Sequence, residues 1–114
     1  MLFRSGNEPV STPFFPAAYP EVTAVTALAG PVNPQQGVQI APYANFGSFV
    51  DLAAPDGNVV YYGGKQFLVR GTSAASAYVS GLAAGLRETS GRNWVDVNAA
   101  LRLNFGVPST ATKP

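Results

Sequence analysis

The stretch Gly71-Thr72-Ser73-Ala74-Ala75-Ser76-Ala77-Tyr78-Val79-Ser80-Gly81 decides how this chain folds. Small residues fill Ala74 to Ala77, where an ordinary surface helix carries charge. From Ala74 to Arg87, Val79, Leu82, Ala83 and Leu86 recur at helical spacing, and Thr72 or Ser73 stands where a helix starts. Gly81 and Gly85 weaken such a helix in isolation, so it must gain its stability by packing closely on something else. Its N-terminus exposes the Ser73 hydroxyl beside free backbone amides and the positive end of the helix dipole, a setting that favours developing negative charge. The tripeptide Gly71-Thr72-Ser73 alone equally suits a plain helix cap.

Upstream, Val59 to Tyr62 and Gln66 to Val69 flank Gly63-Gly64-Lys65 as a hairpin that delivers the chain to Gly71. Phe49 to Ala53 reads as a short strand ending at the turn Pro55-Asp56-Gly57. Val22 to Leu28 mixes β-branched residues with alanine as a buried strand, and Gly30 to Gln39 follows as a loop. Ser11 to Pro20 carries three prolines among Phe14, Phe15 and Tyr19, which excludes helix and makes Phe15-Pro16 a candidate cis bond. Met1 to Phe3 reads as the truncated end of a strand, stopped by Ser5-Gly6-Asn7-Glu8-Pro9. Downstream, Val97, Leu101 and Phe105 share one face of a second helix from Val95 to about Leu103, and Ser109 to Pro114 reads as a disordered tail.

Composition narrows the function. Seven Lys/Arg against six Asp/Glu give a net charge of +1, and the basic residues are scattered, so no nucleic-acid footprint is present. Only 11% of residues are charged, while glycine and proline number 12 and 10, a loop-rich balance suited to part of a larger body. The chain has neither cysteine nor histidine. Disulfides, thiolate metal sites and an imidazole base are thereby excluded. No apolar run is long enough for a membrane helix, and the isolated carboxylates suggest neither a metal nor another cofactor.

The run GTSAASAYVSG closely resembles the nucleophile segment of the subtilisin-like serine proteases, with Val79 and Gly81 at matching offsets. Three more blocks follow that family's order: Ser5-Gly6-Asn7-Glu8; Tyr19-Pro20 before the Val22 strand; and Tyr43-Ala44-Asn45-Phe46-Gly47 leading to Asp51-Leu52-Ala53-Ala54-Pro55. With Asn93-Trp94, the resemblance runs from about residue 2 to 107. It implies an α/β fold, a mostly parallel sheet between helix layers, of which residues 1–108 form the C-terminal portion.

The resemblance makes Ser73 the nucleophile and Asn7 the side-chain donor of an oxyanion hole, beside the Ser73 amide and supported by Thr72. Ser5 and Gly6 would form one wall of the substrate pocket, with Glu8 near its base. A polypeptide is the implied substrate, and a secreted or extracytoplasmic location goes with the family.

Two departures bear on activity. The family's triad runs Asp, His, Ser along the chain. Here no histidine exists, and Asp51, Asp56 and Asp96 match no catalytic block. Where the family usually has Pro-His after the small residues, this chain has Ala77 and Tyr78, a structural position. The expectation is an endopeptidase segment inactive alone and completed by the missing N-terminal half of the same domain. The alternative is a non-catalytic or complementing interaction module derived from such a protease.

Overall fold

The computed structural model describes residues 1–30 and 39–107. Most of the loop expected over Gly30 to Gln39, and the tail expected over 109–114, lie outside the described residues.

The alternation of small and β-branched residues in Thr23-Ala-Val-Thr-Ala-Leu-Ala29 produces the central strand, β2 (Thr23–Ala29), buried along most of its length. It pairs in parallel with β1 (Leu2–Arg4) on one edge and with β4 (Leu52–Pro55) on the other. Farther along β2 than β1, the two-residue strand β3 (Gln39–Ile40) pairs antiparallel with Leu28 and Ala29. The sheet is therefore mixed, which corrects the expectation of a mostly parallel one. A short return segment can satisfy the last backbone groups of β2 only by running against it.

β5 (Gly57–Tyr62) and β6 (Lys65–Arg70) form a separate antiparallel hairpin, turning through Gly63-Gly64. Two helices follow, α1 (Thr72–Ser90) and α2 (Trp94–Phe105). The side chain of Asn93 caps α2, accepting from the Asp96 amide at 3.0 Å.

Period-two alternation on β2 splits the core between the two faces of the sheet. Val25 and Ala27, with Leu52 and Ala54 of β4, meet Ala75, Val79 and Ala83 of α1 and Val97 and Leu101 of α2. On the opposite face Ala24 packs with Ala17, Ala18, Phe49 and Val50, so loops rather than helices cover that side among the described residues. The alanines let α1 lie close to the sheet, as its small-residue composition requires. The Phe15-Pro16 bond is cis.

Phe49 and Val50 are fully buried yet precede the strand. Apolar character marked them as strand, but they plug the loop-covered face, and pairing starts only at Leu52. Asp51, between them and β4, accepts from the Ala24 amide at 2.8 Å and from Arg102 at 2.9 Å, fastening α2 to the sheet.

Candidate active site

β1 and β2 run parallel, and the chain leaves β1 at Ser5 and Gly6, both buried. It then exposes Asn7 at the end of the sheet where α1 begins. The side-chain oxygen of Asn7 accepts two hydrogen bonds from Thr72, from the backbone N–H at 3.0 Å and from the hydroxyl at 2.7 Å. With its oxygen held this way, Asn7 turns its Nδ2 group toward the turn at Gly71.

Gly71 is the N-cap of α1 and has φ 135°, a conformation that suits glycine. A Cβ placed there would lie 3.4 Å from Asn7 Nδ2 and 3.9 Å from the backbone nitrogen of Ser73. The space left by the missing side chain is thus bordered by two N–H donors, one from each side of the junction. Because the cap is Gly71, Ser73 is the second residue of the helix, and its side chain is exposed there.

A groove of about 350 Å³ opens beside Ser73, between β1 (Leu2–Arg4) and one face of α1 bearing Ser73, Ser76, Ala77 and Ser80. The other expected substrate residues, Ser5, Gly6, Glu8 and Thr72, do not line it. Ser5 is fully buried and its hydroxyl donates to the Asn45 carbonyl at 3.3 Å. Gly6 packs on the Asn45 amide, Glu8 is exposed with its backbone N–H donating to Asn45 Oδ1 at 2.8 Å, and Thr72 is fully buried against Asn7.

The residue-by-residue expectations gave no role to Asn45 or Tyr43. Asn45 is wholly buried: Nδ2 donates to the Ser5 carbonyl at 2.9 Å, its backbone N–H to Gly6 O at 2.9 Å, and its carbonyl accepts from Thr26 Oγ1 at 2.7 Å. Tyr43 donates its hydroxyl to Asp56 Oδ2 at 3.0 Å. Burial, that hydrogen bond and the Asp56 charge push its pKa up to about 12, against the smaller opposing effects of Arg70 and the Gly71 amide. The sequence marked the block Tyr43 to Gly47 only through the family resemblance, without a role for either residue.

Among the described residues no three His, Cys, Asp or Glu side chains gather to hold a metal ion, and no helix is long and apolar enough to cross a membrane.

The model of the subtilase family matches residues 2–104. The chain belongs to the subtilase family. Among curated subtilase relatives, a thermophilic serine proteinase of Bacillus sp. (strain AK1) is 37% identical over 103 residues, covering 89% of this chain and 24% of that protein. Halolysin of Haloferax mediterranei is 39% identical over 86 residues, covering 73% of this chain and 15% of its own length. Among solved structures, a psychrophilic protease, S41, superposes with a TM-score of 0.73 at 26% identity, and a cold-adapted subtilisin-like serine proteinase with 0.70 at 25%. These cover 90% and 96% of this chain but 38% and 41% of the solved chains. The subtilase segment described here therefore spans well under half of the relatives it matches.

Proposed function

We propose that this chain is the nucleophile-bearing segment of a serine endopeptidase, acting on polypeptides outside the cytoplasm once an Asp- and His-bearing segment completes its domain. The observation that carries the reading is the pair of donors, Asn7 Nδ2 and Ser73 N, bordering the open space at Gly71. In the reaction Ser73 Oγ attacks the peptide carbonyl carbon while its proton passes to the supplied imidazole. The carbonyl oxygen, now negative, is held by the two N–H groups. Collapse expels the amine, which takes the proton, and leaves an acyl group on Ser73 for water to release. The Ser73–Ala77 face of the groove and the Ser5–Glu8 loop flank the substrate.

Since the chain has no histidine, it is inactive by this route on its own. Peptide hydrolysis by the completed domain tests the reading. Ser73→Ala abolishes turnover while leaving peptide binding, whereas unchanged turnover overturns the assignment.

A complementing role is favoured by the hairpin β5–β6, where Tyr61, Tyr62 and Leu68 are 76%, 81% and 61% exposed. So apolar a surface suits a covering polypeptide, which on this reading is the rest of the protease domain.

A further inference from the structure

The donor pair is assembled from two segments more than sixty positions apart, the loop after β1 and the turn before α1. One short segment is tied to both. Ala41 starts it, its N–H bound to the Ala27 carbonyl at 2.8 Å at the end of β2, and Ala44 N–H closes a turn onto Ala41 O at 2.9 Å. From this turn Tyr43 reaches one way and Asn45 the other.

Asn45 spends three groups on the backbone of the Asn7 side. Its Nδ2 and Oδ1 hold Ser5 O and Glu8 N, and its backbone N–H holds Gly6 O, so bonds surround Asn7 in sequence on both sides. Its carbonyl is fixed in turn by Thr26 of the central strand. Tyr43 serves the other side. Its hydroxyl donates to Asp56 just after β4, and the next residue, Gly57, pairs with Arg70, which directly precedes Gly71.

We infer that Tyr43 and Asn45 are positioning residues that set the spacing between the two oxyanion donors, Asn45 by fixing the Asn7 loop and Tyr43 by fixing the Gly71 turn. This rests on the proposed hydrolytic role of the site. Neither residue touches substrate. Asn45 acts through the loop that carries Asn7, and Tyr43 acts through Asp56 and the strand pair that leads to Gly71.

Two measurements separate this inference from the proposed function. The first uses the 114-residue chain itself and follows amide hydrogen exchange by NMR. Thr72 N–H, bonded to Asn7 Oδ1, reports the junction between the two donors. Tyr43→Phe, which keeps the ring and removes only the hydroxyl, speeds Thr72 exchange about tenfold, and Asn45→Ala does so at least as much. Core amides such as Val25 and Val79 hold their rates in Tyr43→Phe. Asp56→Asn, which keeps an acceptor for the phenol, leaves Thr72 exchange slow, while Asp56→Ala speeds it. Thr72 exchange unchanged in Tyr43→Phe, or as fast in Asp56→Asn as in Asp56→Ala, overturns the inference.

The second measurement uses the completed domain. Tyr43→Phe lowers kcat about tenfold with KM unchanged, because the donors act only on the oxyanion. An effect on KM alone contradicts the inference. If the unsubstituted completed domain shows no turnover, the hydrolytic reading fails, and the exchange measurement still decides whether Tyr43 and Asn45 hold the junction.

Discussion

Asn7 and Thr72 are joined by two hydrogen bonds to one oxygen, at 3.0 Å from the Thr72 amide and 2.7 Å from its hydroxyl. That double contact fixes which way the Asn7 amide faces: oxygen toward the helix start, nitrogen toward the open space at Gly71. An asparagine with only one such bond would be freer to turn.

The two substitutions at this contact should therefore differ in kind. Asn7→Ala in the completed domain removes a donor and lowers kcat by roughly 10²- to 10³-fold, a magnitude known from a subtilisin, with KM nearly unchanged. Thr72→Val leaves the donor but loosens it, lowering kcat by about tenfold. Steady-state kinetics on both variants checks the order, and a larger effect at Thr72 than at Asn7 would contradict it.

Gly6 cannot accept a side chain without moving its neighbours. Its φ is 117°, and a Cβ there would lie 2.4 Å from Asn45 Nδ2 and 2.9 Å from Asn45 Cγ. Gly6→Ala should destabilise the chain by about 2 kcal/mol or more, from backbone strain and the loss of buried Asn45 hydrogen bonds. Urea denaturation measures it. A shift below about 0.5 kcal/mol would show that Asn45 gives way easily.

The Asp51–Arg102 pair is asymmetric, with the aspartate side chain 8% exposed and the arginine 45%. Arg102→Met should cost only about 1 kcal/mol, since a half-exposed ion pair is well screened. Asp51→Ala should cost about 2 to 4 kcal/mol, because the Ala24 amide also loses its carboxylate partner. Chemical denaturation of the two variants and the double variant gives the coupling. Equal costs would mean that the ion pair, not the bond to Ala24, carries the stability.

Tyr43 gives the chain an alkaline limit. Its pKa rises from 10.0 to about 12 on folding, chiefly by desolvation and then by the Asp56 hydrogen bond. Below pH 10 both folded and unfolded forms hold the proton and the contribution is complete. Between about 10 and 12 the unfolded chain releases the proton first, so stability falls as pH rises through that window. Comparing melting temperatures of the unsubstituted chain and Tyr43→Phe from pH 8 to 11.5 should show a steeper alkaline fall in the former. Parallel curves would contradict the assignment.

Local chemistry made much of this fold legible. The β-branched and alanine run became β2, the strands around the Gly63-Gly64 turn became the hairpin, and the small-residue run became α1, longer than expected at both ends: Gly71 rather than Thr72 or Ser73 caps its start, and it runs on to the C-cap Gly91. Phe49 and Val50 misled because burial on a loop-covered face and burial in a strand have the same apolar signature. β3 was hidden because two residues carry no periodicity. In the candidate site, Ser73 and Asn7 could be named from the motifs around them, and the structure brings them to one junction. The roles of Asn45 and Tyr43 were not legible, since the bonds of Asn45 to Ser5 and Glu8 span 40 and 37 positions and no local pattern encodes such a contact.

The central claim is that Ser73 becomes a nucleophile only when a base is supplied to it. Labelling with a serine-directed fluorophosphonate tests this most directly, first on the chain alone and then after mixing with an upstream subtilase segment bearing the aspartate and histidine, with Ser73→Ala as control. Labelling at Ser73 that appears only on mixing and disappears in the control is the expected result. No labelling in a mixture shown to form a folded complex, or equal labelling in the control, would contradict the claim.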